Sequence, residues 1–273
     1  SRLINLDLLK QSSSTILFFY SLEKEVFAVI IKFLWIYLQK DVENIKIFDI
    51  MINIYLGGVR MNYIFEVLPS LLNGALVTLQ VFVLVLVLSI PLGIVISFLM
   101  QIHFKLLHWL INIYIWIMRG TPLLLQLIFI YYVLPNIGVR LDRLSAAIIA
   151  FTLNYAAYFA EIFRGGILSI PAGQYEAAKV LKFTPFQTIW FIILPQVVKV
   201  VLPSVFNEVM TLVKDTSLVY ALGVSDLILA SRTAANRDAS LAPMFIAGAI
   251  YLVLIGLVTI VSKQVEKRYS YYK

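Results

Sequence analysis

Five charged side chains stand inside otherwise apolar runs: Arg119, Glu161, Glu208, Lys214 and Asp215. A charge in hydrocarbon costs roughly 2.5 to 3.5 kcal/mol even on the gentlest scale, so each must find a partner or face a wet cavity. Asn154 and Asn207 add uncharged hydrogen-bonding groups. On a helix, Asn154, Tyr158 and Glu161 are spaced four then three apart and share a face, as do Asn207, Thr211 and Lys214. Such a set can hold and pass a charged solute, with Arg119 suited to a carboxylate and Glu161 and Glu208 to an ammonium or basic side chain. The competing reading is internal pairing, since salt bridges and interhelical hydrogen bonds use the same groups. Glu161 lies three residues before Arg164 and can pair with it at the membrane surface. Lys214 and Asp215 are adjacent near the end of a run, which suits capping or pairing better than binding. Glu208 lies in mid-run with no basic residue at helical spacing nearer than Lys214, so a cationic ligand group is one candidate partner.

The elements that must position these groups are membrane spans. The chain is 61% hydrophobic and only 14% charged, against about half apolar and a quarter charged for a soluble domain. The sequence therefore predicts an all-α polytopic membrane protein. Apolar runs at residues 75–99, 106–134, 145–163, 200–222 and 241–261 give five spans. Leu68-Pro69 marks the approach to the first, and Pro91 and Gly93 should bend it. The second is broken by Arg119-Gly120-Thr121-Pro122, whose freed backbone groups must face protein or water and not lipid.

Enzymatic chemistry finds little support. There is no cysteine, and the two histidines, His103 and His108, have no carboxylate or third ligand beside them, so no metal site is expected. The net charge of +7 comes without a Lys/Arg cluster interleaved with aromatics, so it reflects loop placement and not nucleic acid. The connection after the first span, the 164–199 region and the tail carry Lys105, Arg164, Lys179, Lys182, Lys199, Lys263, Lys267, Arg268 and Lys273; the other two connections carry Arg140, Arg143, Arg232 and Arg237. This bias predicts that the 168–199 loop and the C-terminus are cytoplasmic.

That loop holds QYEAAKVLKFTPFQTIWFIILPQ, residues 174–196, too polar at its front to be a span. It reads as two short helices, 175–181 and 185–193, with Pro185 in a first turn and Pro195 ending the second. Small Ala177 and Ala178 and a Glu at the helix start suit a segment gripped in another protein's groove; a solvated connector fits the residues equally well. Glu176-Ala177-Ala178, with Ile192, Leu194 and Pro195 at fixed distance, resembles the EAA loop of ATP-binding-cassette (ABC) importer membrane subunits. Lys182 replaces the glycine usual in that motif, so the turn is expected at Thr184-Pro185 instead.

Further stretches resemble the polar amino acid branch of the same family: Arg119-Gly120-Thr121-Pro122-Leu123-Leu124 with Gln126, Ala157-Tyr158 with Ala160-Glu161, Arg164-Gly165-Gly166-Ile167, Pro171 with Gly173-Gln174, and Lys214-Asp215-Thr216-Ser217-Leu218. The resemblance implies a type I ABC importer permease (MetI-like) fold over residues 61–273, in a bacterial cytoplasmic (inner) membrane among its lipids. It implies an ATPase-coupling loop of Glu176, Ala177, Ala178, Lys182, Ile192, Leu194 and Pro195. Arg119, Asn154, Tyr158, Glu161, Asn207 and Glu208 are the pathway candidates. Implied partners are cytoplasmic ABC ATPase subunits, an extracytoplasmic amino acid-binding protein, a second permease subunit in a homo- or heterodimer, and the amino acid itself. No cofactor is expected on this chain; ATP and Mg belong to the partner, since no GxxxxGK[ST] phosphate loop is present. A stand-alone ion-coupled carrier or channel is the alternative, although such carriers usually show internal repeats and more spans. Residues 1–60 look unlike the rest, with mixed charges around a short apolar run, 26–38, interrupted by Lys32. The reading is a non-native extension upstream of a natural start at Met61, with an interfacial helix as the alternative.

Overall fold

The computed structural model describes residues 61–102 and 104–269, so the reading of residues 1–60 falls outside the described residues. Each of the five runs read as spans becomes helix, the second in two pieces, and no strand occurs among the described residues. Helix α1 (Met61–Leu99) begins well before residue 75 and contains both Pro69 and Pro91, so Leu68-Pro69 lies inside the helix and not at its approach. The second run divides into α2 (Lys105–Gly120) and α3 (Leu123–Ile128), the latter prolonged by a π turn, Phe129–Val133, and a 3-10 turn, Leu134–Ile137. The two arms meet at 108° across the Gly120-Thr121-Pro122 break.

Helix α4 (Arg143–Leu168) starts where Asp142 accepts a hydrogen bond from the Ser145 N–H as a side-chain cap; the Ser145 hydroxyl first, and this N–H with it, hold the Asp142 carboxyl below its usual range. Helix α5 (Ala172–Val180) follows, then a short turn α6 (Pro185–Gln187), a π turn (Thr188–Ile193) and α7 (Leu194–Asp215), closed by a 3-10 turn, Thr216–Leu222. These last pieces are one helical run, Pro185–Leu222, long and apolar enough to cross a membrane. Pro195 therefore does not end a helix, contrary to expectation. It sits at the second position of α7, directly after the π turn, where a missing N–H costs least. Helix α8 (Leu227–Asp238) was not foreseen; Asp226 caps it by accepting from the Ile228 and Leu229 N–H groups. Burial pushes the Asp226 carboxyl up to about 6 despite those donors. Helix α9 (Ala242–Tyr269) completes the chain.

Close backbone approaches fix the helix directions. Arg143 Nη1, at the start of α4, donates to Gly223 O (3.3 Å) just past the fourth span, and a Cβ on Gly93, late in α1, would lie 2.6 Å from Phe159 Cβ, late in α4. A Cβ on Gly74 would lie 2.7 Å from the Asp226 carbonyl, which places the start of α1 beside the end of the fourth span. The second run must then travel from the end of α1 to the far end of the bundle where α4 begins. The bent pair therefore links the two ends of the bundle and is counted as a fifth, broken span.

The core forms around α4. Its apolar window is 61% buried, against 28% for α1, 17% for the fourth span and 11% for α9. Ala146, Ala147, Ala150, Ala156, Ala157 and Ala160 line it and let neighbours approach closely, which is how helices associate where lipid offers no hydrophobic drive. Phe151, Tyr155 and Phe159 fill the remaining space.

The Gly74 contact gives a direct test of this packing. Gly74→Ala should destabilise the detergent-solubilised protein by about 1 to 3 kcal/mol, read as a lowered melting temperature, because its Cβ meets only backbone. Gly165→Ala, with nothing within 4 Å, should leave the melting temperature unchanged or slightly raised.

Candidate functional site

The break in the second span is stapled by one side chain. Gly120 and Pro122 free carbonyls that lipid cannot satisfy. Gln126 Nε2 donates to Met118 O (3.0 Å), Thr121 O (3.2 Å) and Thr121 Oγ1 (2.8 Å), and Thr121 Oγ1 donates to Ile117 O (2.8 Å). Asn154 Nδ2 on α4 donates to Met118 O (2.8 Å) and to Gln126 Oε1 (3.0 Å), tying the break to the central helix. Asn154 is thus buried in the scaffold of the site. Gln126 escaped the sequence-based set of site residues because its partner carbonyls exist only once the chain has turned.

Around this staple the structure gathers most of the intramembrane charges. Arg119 lies over the Tyr158 ring at 5.1 Å, and both line an open cleft of about 470 Å³ with Asn112, Ile115, Trp116 and Gly120. Glu161 takes a bidentate ion pair from Arg164, at 2.5 and 2.7 Å, so its internal partner is the one three residues on. Arg119 is also within electrostatic reach of both Glu161 and Glu208. Glu208 is half-buried and accepts no hydrogen bond among the described residues; the charge of Arg119, on another span, reaches it, an influence that spacing along one helix could not reveal. Asp215 accepts from Tyr155 Oη at 2.7 Å, joining the end of α7 to the middle of α4. Asn207 stands apart, exposed, its carbonyl accepting from Thr211 Oγ1. Among the described residues no group of His, Asp and Glu is arranged to hold a metal.

The loop at the other end of α4 is built tightly. Helix α5 begins at Ala172, so Glu176 sits in its middle and not at its start. Ala178 is only 1% exposed and packs inward, leaving Glu176 and Ala177 on the outer surface. Lys182 makes the turn in the left-handed conformation, φ 60°: its N–H donates to Lys179 O and that of Phe183 to Ala178 O, both at 3.0 Å. The turn therefore keeps a glycine geometry without glycine, and Thr184-Pro185 does not replace it. Thr184 instead caps the next turn, its Oγ1 accepting from Gln187 N–H while Gln187 Oε1 accepts from Thr184 N–H. Ile192 and Leu194 are half-buried along the helix, while Pro195 is exposed. Val180 and Leu181, at the end of α5, are 80% and 68% exposed, apolar side chains on a segment too polar to be a span, whereas the exposed Phe186 and Phe191 belong to the run that continues into the fourth span.

An all-helical bundle with a broken apolar helix, charges near an open cleft and a structured loop beyond one end is the architecture of a membrane transport subunit. The chain belongs to the family of binding-protein-dependent transport system inner membrane components, whose model matches residues 89–271. It is 37% identical over 203 residues to the arginine transport system permease protein ArtQ of Bacillus subtilis, covering 74% of this chain and 93% of that protein. Over 211 residues it is 36% identical to a putative glutamine transport system permease protein, GlnP, of Rickettsia felis, covering 76% and 97%. Among solved structures it resembles an amino acid ABC transporter crystallised with histidines, with a TM-score of 0.72, 29% identity and coverage of 77% and 99%. The inward-facing MetNI methionine ABC transporter shares the fold, with a TM-score of 0.57 at 20% identity and coverage of 76% and 94%. The chain is accordingly a multi-pass inner-membrane permease subunit with the MetI-like importer fold.

The left-handed Lys182 carries a measurable consequence. Lys182→Gly should stabilise the loop by about 1 kcal/mol, seen as slower hydrogen exchange over residues 178–184, because the strain of a Cβ at positive φ is removed. Lys182→Val, bulkier at Cβ, should speed exchange over the same segment.

Proposed function

We propose that this chain is the pathway-forming subunit of an ATP-driven importer for polar amino acids, and that its 168–199 loop docks a cytoplasmic ABC ATPase. The observation that carries this reading is the exposed outer side of α5, where Glu176 and Ala177 stand beside the apolar Val180 and Leu181 on a tightly turned and capped loop. Such a surface outside the bilayer calls for a protein partner. Positive-inside weighting assigns the loop and the C-terminus to the cytoplasm, where an ATPase can reach them. ATP and Mg bind that partner. A second permease subunit, the same or a sister chain, completes the pathway, and an extracytoplasmic binding protein delivers the amino acid.

Within the membrane, Arg119 and Glu208 offer opposite charges, a match for the carboxylate and ammonium of an amino acid; Tyr158 and Glu161 flank them and Asn154 holds the break, while Asn207 faces away from Glu208 toward the outer surface. The names of the relatives support an amino acid as the solute. Closure of the ATPase pair would move the gripped loop, and the third and fourth spans that flank it would carry the motion to the cluster.

Co-purification tests the docking. Wild type expressed with its ATPase should retain it through detergent extraction, while Glu176→Lys and Ala177→Asp should lose it yet stay folded; equal retention by all three would refute the loop's role. Glu208→Gln should lower transport of a cationic amino acid roughly tenfold or more with ATPase retention unchanged, the scale of a lost charge-assisted hydrogen bond. Unchanged transport kinetics would return Glu208 to a structural role.

A further inference from the structure

The fourth span is weakest where the loop enters it. Through Thr188–Ile193 the helix is a π turn, in which Leu194 N–H reaches back five residues to Ile189 O. The next residue, Pro195, has no N–H to give, so successive backbone bonds are widened or missing at one level of the helix. A joint of this kind would bend under load.

One side chain closes it. Gln196 Nε2 donates to Ile192 O at 2.7 Å, within the π turn, and to Gln174 Oε1 at 3.3 Å, at the front of α5. The first bond stiffens the joint along its own axis. The second ties the first helix of the loop to the base of the span, across 22 residues of sequence. Nearby, Ile193, Val197 and Val201 pack with Ile170 in a small buried cluster, so the joint already rests on the end of α4. A Cβ on Gly166 would lie 2.2 Å from Val201 Cγ1, so α4 and α7 touch just above it.

We infer that Gln196 is a positioning residue: with Gln174 it latches the loop to the fourth span across the π turn, so that displacement of the loop moves the span as one piece. This rests on the docking reading above. The latch touches no solute, and it acts on the ratio of work delivered to ATP consumed.

The test uses the full permease with its ATPase and binding protein in nanodiscs, reading ATPase retention, and ATP hydrolysis with and without amino acid-loaded binding protein. Gln196→Ala and Gln174→Ala should each retain the ATPase yet lose about three- to tenfold of the stimulation by loaded binding protein, the span of one hydrogen bond's worth. The double variant should be no worse than Gln196→Ala alone, since that change already removes both of the Gln196 bonds. The pair Gln174→Glu with Gln196→Lys, which rebuilds the link as an ion pair, should recover most of the stimulation. The latch is overturned if Gln196→Ala is stimulated like wild type, if stimulation falls only in step with ATPase retention or melting temperature, or if the rebuilt pair fails to recover it. Should wild type itself retain no ATPase, the docking reading falls and the latch with it, a result distinct from a coupled wild type with an indifferent Gln196.

Discussion

A backbone group in lipid has no water to fall back on, and nearly every local feature of this chain follows from that constraint. Where Gly120 and Pro122 turn the second span through 108°, Gln126, Thr121 and Asn154 take up the freed carbonyls. Where Pro195 leaves a gap in the fourth span, a π turn and the Gln196 amide absorb it. Both repairs use uncharged amides, which cost less to bury than charges and leave Arg119 and Glu208 unspent in the same region. The polar groups of this membrane protein thus divide into those that mend the backbone and those that remain available to a solute.

Helix α4 links the two ends of the molecule. Its alanine-lined surface allows α1, α2, α3 and α7 to pack against it, and its polar residues reach in three directions: Asn154 to the break, Tyr155 to Asp215 at the far end of the fourth span, and Glu161 to Arg164 near the loop. The fourth span is the other through-going element, because the loop's second helix and the span are one run from Pro185 to Leu222. A disturbance at Phe186 and one at Glu208 are disturbances of the same helix.

The helical class and the five runs were legible in the sequence, because apolar length is a signal that lipid thickness enforces. The loop was legible in outline, from its polarity and its Glu-Ala-Ala stretch. Details that depend on three-dimensional accidents were not. Pro195 reads as a helix stop unless a π turn precedes it, and no composition rule announces a π turn. Lys182 reads as a lost glycine until its φ of 60° is seen. Ala178 reads as a docking surface until α5 turns it inward. Of the site candidates, Arg119 and Tyr158 meet at the cleft with Glu161 and Glu208 within electrostatic reach of Arg119, whereas Asn154 is occupied by the break and Asn207 is exposed. Tyr155 was overlooked since an aromatic in an apolar run signals core, and its hydroxyl matters only because Asp215 arrives 60 residues later.

The account turns on the loop's second helix and the fourth span moving as one body. The chain has no cysteine, so a spin-label pair can be placed cleanly at Ile189→Cys and Ser204→Cys, on either side of Pro195. Pulsed electron resonance of the ATPase-bound complex, with and without ATP, should give one narrow distance near roughly 20 Å in both states, the length of a continuous helix. A distance that shifts or splits on adding ATP would mean that the helix hinges at the π turn, and that the loop and the span are separate moving parts.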